Sequence, residues 1–186
     1  MMLDPKTRVE RGDTIHLSNT ERGEVAWFES PFGHVHIEDF RALLQHGVII
    51  PLHDQLFADA SSQTYATPVY STMIYALAVL RSARVRTQNE ACAQADIADA
   101  LSRADIPFEA ESRLDENSRI DFLLDHGVGI ECKVKGQARA IYRQMQRYAA
   151  NERIAGLILA TGKPMGLPTT IGNKPTRLHT FGSAWL

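Results

Sequence analysis

Two carboxylates and an ammonium group stand close together in the stretch SRIDFLLDHGVGIECK (residues 118–133), where Asp121, Glu131 and Lys133 interrupt apolar runs. The runs alternate as half-buried strands do, and Asp125, His126 and Gly127 between them suit a three-residue hairpin loop with Gly127 at its left-handed position. Pairing Leu124 with Val128 sets Phe122 opposite Ile130 and Ile120 opposite Cys132, and turns all six to one side of the sheet. A slip of one residue would divide them between faces. The other side then receives Asp121 opposite Glu131, with Lys133 one pleat further along.

Carboxylates facing each other across a hairpin repel unless a cation lies between them. Oxygen donors at that spacing suit a hard divalent ion, Mg²⁺ or Mn²⁺, whose shell is completed by water and substrate phosphate. A lysine beside such an ion can orient a water or steady charge on a phosphoryl oxygen. The chemistry this predicts is phosphodiester cleavage. The competing reading is the salt-bridged solvent face of an ordinary hairpin.

These residues need elements to hold them. TQNEACAQADIADALSRADIP reads as an amphipathic helix bounded by Thr87 and stopped near Pro107. Thr87 and Glu90 have capping-box spacing, and Glu90 shares a helix face with Ala93, Ile97, Leu101 and Ala104, the face that should meet the sheet. FEAES, RIDFLLD and GVGIECKVK read as strands, QARAIYRQMQRYAANE as a helix and IAGLILAT as a strand, with an edge strand around TRLHTFG in the Gly/Pro-rich tail. The order α-β-β-β-α-β predicts an α/β fold, a mixed sheet with helices packed on it. In the second helix Ala138, Ile141, Tyr142, Met145 and Ala149 form the apolar stripe, and Gln144 and Tyr148 line its border. Arg139, Arg143 and Arg147 recur on its outer side, where they can hold phosphates or solvate the helix.

Asp121, then Glu131-Cys132-Lys133 on the next strand, then a helix carrying QMQRY, resembles the PD-(D/E)XK nuclease superfamily, the restriction-endonuclease-like fold, and specifically its RecB-like Gln-x-x-x-Tyr branch. The match spans roughly residues 87–161. It implies that Asp121, Glu131 and the backbone carbonyl of Cys132 ligate Mg²⁺, and that Lys133 helps to activate water. It further implies that Glu90 takes the place of the glutamate on the first core helix, and that Gln144 and Tyr148 touch the nucleic-acid strand or brace Lys133. Ile120 stands where the family name has proline, a position that varies.

Upstream, TIHLS and EVAWF read as a hairpin about NTERG, HIEDFRALLQHG as a helix ending at Gly47, and VII as a short strand. Trp27 and Phe28 read as core, and His34 and His36 as surface or strand features. The polar stretch HDQLFADASSQT is the candidate boundary between an accessory α/β region, 1–60, and a nuclease-like domain, 61–186, which begins with the buried helix VYSTMIYALAVLRSAR. His53, Ser61, Ser62 and Ser71 lack the context of a nucleophile elbow. No P-loop or dinucleotide fingerprint occurs.

A chain of 186 residues, 44% hydrophobic, can bury one substantial core. Its net charge of −2 hides an asymmetry: residues 1–60 hold 5 Lys+Arg against 10 Asp+Glu, and residues 131–186 hold 9 against 2. The basic end, with Lys135, Lys163, Lys174 and Arg177 beside the helix arginines, suits a polyanion, and DNA is the expected partner. The acidic first 60 residues suit a protein partner, and a homodimer would suit double-strand cutting. No apolar run nears the roughly 20 residues of a membrane span, the amino terminus lacks a signal-peptide core, and Cys92 and Cys132 read as reduced thiols. A soluble cytoplasmic protein is expected.

Overall fold

The computed structural model describes residues 4–29, 31–52 and 62–182. The chain forms two compact units, Met1–Ser71 and Thr72–Leu186. The expected boundary at residue 60, with His53 and Ser61, lies outside the described residues.

The first unit runs α1 (Pro5–Glu10), β1 (Ile15–Thr20), β2 (Gly23–Phe28), β3 (Gly33–Val35), α2 (Ile37–Gln45), β4 (Ile50–Pro51) and β5 (Ser62–Ala66). Its strands form one antiparallel sheet in the order β3-β2-β1-β5-β4, so residues 62–66 complete the first sheet. The expected β1–β2 hairpin forms, and α2 ends before Gly47, whose φ of 66° suits glycine. Val9, Ile15, Ala26, Phe28, Val35, Phe40, Leu43 and Ile49 make the core. Trp27, expected there, alternates to the other side of β2, where it is half-buried and stacks on His16.

Helix α3 (Pro68–Ser82) leads into the second unit, followed by α4 (Glu90–Arg103), β6 (Phe108–Arg113) and β7 (Arg119–Leu124). After a 3₁₀ turn (Asp125–Gly127) come β8 (Val128–Lys133), α5 (Ala138–Ala150), β9 (Gly156–Thr161), β10 (Thr170–Ile171) and β11 (Lys174–Thr180). The sheet order is β10-β11-β9-β8-β7-β6. Strands β6, β7 and β8 are antiparallel neighbours, whereas β8, β9 and β11 are parallel, so the sheet is mixed. The strand expected at the edge, β11, is flanked by the two-residue β10.

Alternation along the strands gives the sheet two apolar faces, as a sheet between helices requires. Leu157 and Leu159 of β9 join Ile141, Met145, Tyr148 and Ala149 of α5 in one cluster. Ile130, Cys132, Ile158 and Ala160 turn the other way and are fully buried, and α4, which buries Ala93, Ile97 and Leu101, packs on β8. Among the described residues the class is mixed α/β with two sheets and five α-helices, none long and apolar enough to cross a membrane.

Candidate functional site

The β7–β8 hairpin adopts the register that its apolar residues select. Leu124 pairs with Val128 and Phe122 with Ile130, and the loop is closed by left-handed His126 (φ 56°) and Gly127 (φ 71°). A side chain at Gly127 would run into the backbone of Arg153 and Ala155, so the turn needs glycine for space as well as for φ.

The ladder then stops. No pair follows Phe122↔Ile130 on the β8 side, and on the β6 side pairing lapses between Ala110↔Phe122 and Ser112↔Ile120, opposite left-handed Glu111 (φ 52°). Asp121 therefore sits where both neighbouring ladders give way. This corrects the expectation for Ile120, which does not share the side of Phe122. It joins the α5 cluster and lies where a β-carbon on Gly129 would be. The break reverses the strand's alternation and lets the Asp121 carboxylate enter the gap between β7 and β8. There Oδ2 accepts a 2.6 Å hydrogen bond from the Cys132 amide, and Oδ1 accepts one of 2.8 Å from the side-chain amide of Gln94 on α4. A charge-assisted bond thus satisfies an amide that the ladder would otherwise have used.

Glu131 and Lys133 pair with Leu159 and Thr161 of β9. Glu131 is 1% exposed, and its Oε1 meets the Lys133 ammonium at 2.8 Å while its buried Oε2 has no hydrogen-bond partner. Lys133 reaches on to Glu90 at 3.4 Å, and its carbonyl is fixed by the Thr161 hydroxyl at 2.7 Å. Burial, then the charge of Asp121, pushes the Glu131 carboxyl up to about 7 against the pull of Lys133 and of the Tyr148 hydroxyl. Burial also raises Asp121. Lys133 is pushed down by burial, but Glu131, Asp121 and Glu90 outweigh this and hold it above its ordinary value. The result is an acidic pocket with one internal cation.

Glu90 stands at the first position of α4, but the cap is Asn89, whose side chain accepts from the Cys92 amide at 2.8 Å. The Thr87 capping box is thereby corrected: Asn caps a helix as well as Thr does, and starting later frees Glu90 to face Lys133. Tyr148, expected on the stripe's border, is 2% exposed and belongs to the core. Its hydroxyl donates to the Arg119 carbonyl at 2.6 Å and accepts from Gln144 at 2.6 Å, so the pair ties α5 to the start of β7, and the same hydroxyl lies beside the site, where it acts on the Glu131 carboxylate. Gln94 is not among the residues to which the sequence points. The only local signal is its position one turn after Glu90, at i+4 on the same helix face.

Cys132 contributes its amide, while burial pushes its thiol up to about 12. Arg139, Arg143 and Arg147 are exposed on α5 and make no ion pair among the described residues, and Lys135 is exposed after β8. Lys163 is half-buried, its amide bonded to the Thr161 hydroxyl. Lys174 is committed to the Asn151 carbonyl.

Among the described residues no group of three or more His, Cys, Asp and Glu side chains could hold a metal ion, so Glu90 is not gathered with Asp121 and Glu131 into a ligand set. The oxygen donors left in the pocket are the two carboxylates: Glu131, with one buried oxygen lacking a partner, and Asp121, whose two oxygens each accept one hydrogen bond. Comparison with protein-family models, with curated proteins and with solved structures finds no match for this chain.

Proposed function

We propose that the chain is a metal-dependent nuclease that hydrolyses DNA phosphodiester bonds, and that its second unit is a restriction-endonuclease-like core. The observation that carries this reading is the buried Glu131 carboxylate, tied to Lys133 through one oxygen and left without a partner at the other, beside an Asp121 fixed in a broken ladder. A hairpin shaped by stability alone has no reason to bury that oxygen unpaired.

Asp121 and Glu131 are the residues that would hold Mg²⁺ or Mn²⁺, which when bound supplies Lewis-acid polarisation of a phosphoryl oxygen and a more acidic water. The Cys132 amide and Gln94 hold the Asp121 carboxylate in one orientation. Lys133 stays charged and offers its ammonium to the nucleophile or to charge growing on the phosphate. Arg139, Arg143, Arg147, Lys135 and Lys163 supply backbone contacts, which gives binding without a sequence code. A cytoplasmic location, a homodimer and a protein partner for the acidic first unit belong to the same proposal.

The test is incubation of the purified chain with linear, nicked and single-stranded DNA, and with RNA, with and without Mg²⁺ or Mn²⁺. Cleavage should require the metal and fall on the order of 10³-fold in Glu131→Gln and in Asp121→Asn. Cleavage that survives Glu131→Gln would overturn the assignment. DNA binding without any cleavage would favour a nuclease fold retained as a binding or regulatory module.

A further inference from the structure

The carboxyl ends of three parallel strands lie side by side in the second unit: Lys133 pairs with Thr161, and Thr161 with Thr180. In open α/β sheets ligands gather at such ends. With strands about 4.8 Å apart, the end of β11 lies roughly 10 Å from that of β8. There a cavity of about 450 Å³ opens, lined by Leu80, Arg81 and Val85 on one side and by Leu178, His179 and Phe181 on the other. That volume suits a small ligand rather than a single water.

The lining is selective in charge. No Asp or Glu is among its described lining residues, although the chain has 22 acidic residues to 20 basic ones. Arg81 is exposed, makes no ion pair among the described residues, and acts electrostatically on His179. Burial, with Arg81 adding to it, holds the His179 imidazole below its ordinary value, so Arg81 is the cavity's cation at neutral pH. His179 meets the Phe181 ring edge-on at 5.8 Å between centroids. One guanidinium, two aromatic rings and a wall of Leu80, Val85 and Leu178 ask for a molecule with an anionic end and a flat, largely apolar body. A nucleoside phosphate has that chemistry.

We propose that this cavity binds a single nucleotide, with its phosphate on Arg81 and its base against Phe181 and the aliphatic wall. The proposal deepens the nuclease reading and rests on it for the source of the nucleotide, the end of a strand whose scissile phosphate lies beside Lys133. A free mononucleotide has the same chemistry, and the experiment separates the two.

The full chain in EDTA is titrated with dAMP, deoxyadenosine and inorganic phosphate by calorimetry, and with a single-stranded hexanucleotide with and without a 5′-phosphate. We expect dAMP to bind at least tenfold more tightly than either of its parts, and Arg81→Glu to weaken dAMP at least tenfold with an unchanged melting temperature. Val85→Trp, which fills the cavity and leaves its charge alone, should also lose dAMP. A gain from the 5′-phosphate that disappears in Arg81→Glu identifies the strand end as the ligand; hexanucleotides no tighter than dAMP identify the free nucleotide. Failure of dAMP to bind, or equal binding by both variants and the parent, overturns the cavity. Cleavage with Arg81-insensitive dAMP sinks the cavity alone, and Arg81-sensitive dAMP without cleavage sinks the nuclease reading alone.

Discussion

Two hairpins of this chain, one in each sheet, begin alike and end differently. Between β1 and β2 the ladder runs unbroken from Ile15↔Phe28 to Thr20↔Gly23, and the turn is braced by the Thr20 hydroxyl donating to the Gly23 carbonyl at 2.7 Å. Between β7 and β8 the ladder ends after Leu124↔Val128, Leu123↔Gly129 and Phe122↔Ile130, and a carboxylate occupies the next rung. The first hairpin keeps its charged and polar ends exposed; the second draws two carboxylates and a lysine inward. Continuous pairing is what stability favours, so a ladder opened around buried charge marks a place where stability has yielded to another requirement.

Removing the internal cation separates the hairpins most. Lys133→Met leaves Glu131 without its partner, and a loss of about 3 kcal/mol is expected from urea unfolding at pH 8.5, where Glu131 is ionised. Near pH 5 the carboxyl is already protonated and the loss should shrink by more than half. An equal loss at both values would show that Lys133 acts through packing alone.

The pH dependence of the unmodified chain, measured in EDTA, comes next. A carboxyl whose folded value lies above its unfolded one binds its proton more tightly in the folded chain, so its contribution is complete below the ordinary glutamate value of 4.5 and disappears as pH climbs through about 7. Over that window stability should decline by an amount on the order of 3 kcal/mol at most, and Glu131→Gln should abolish the slope. Millimolar Mg²⁺ at pH 8 should recover part of the loss, because a bound cation favours the ionised form.

Smaller still is Gln94→Ala, which leaves one Asp121 oxygen without its donor. About 1 kcal/mol of destabilisation is expected, with a rise in the metal concentration needed for half-maximal cleavage. In the regular hairpin, Asn19→Thr at an exposed paired position should stay within about 0.5 kcal/mol in the same melting assay. A comparable cost at the two positions would erase the contrast between the hairpins.

Most of this architecture can be read in the sequence, because apolar alternation and helical stripes are local signals. The register of Phe122 with Ile130, the order of elements in the second unit and the end of α2 before Gly47 follow from them. The break at Asp121 does not. A period of two continues through Ile120, Asp121 and Phe122 on paper, and the break stands opposite left-handed Glu111 in a different strand. Gln94 is equally hidden, since its partner lies 27 residues away and an amide on a helix carries no mark of its role. At the start of α4, Thr87 and Asn89 compete as caps with similar intrinsic strength, and sequence alone cannot rank them. Tyr148 shows that a stripe's border and its interior differ by little more than a small rotation of the helix.

The left-handed residue on β6 has one more effect. This strand is the sheet's outer margin, and Glu111 bends it midway while Glu109 and Arg113 present charge on either side. A flat, uncharged margin would invite another chain to add itself as a seventh strand; a bent and charged one discourages such growth. The distortion that opens the sheet for Asp121 thus also guards its flank against runaway self-association.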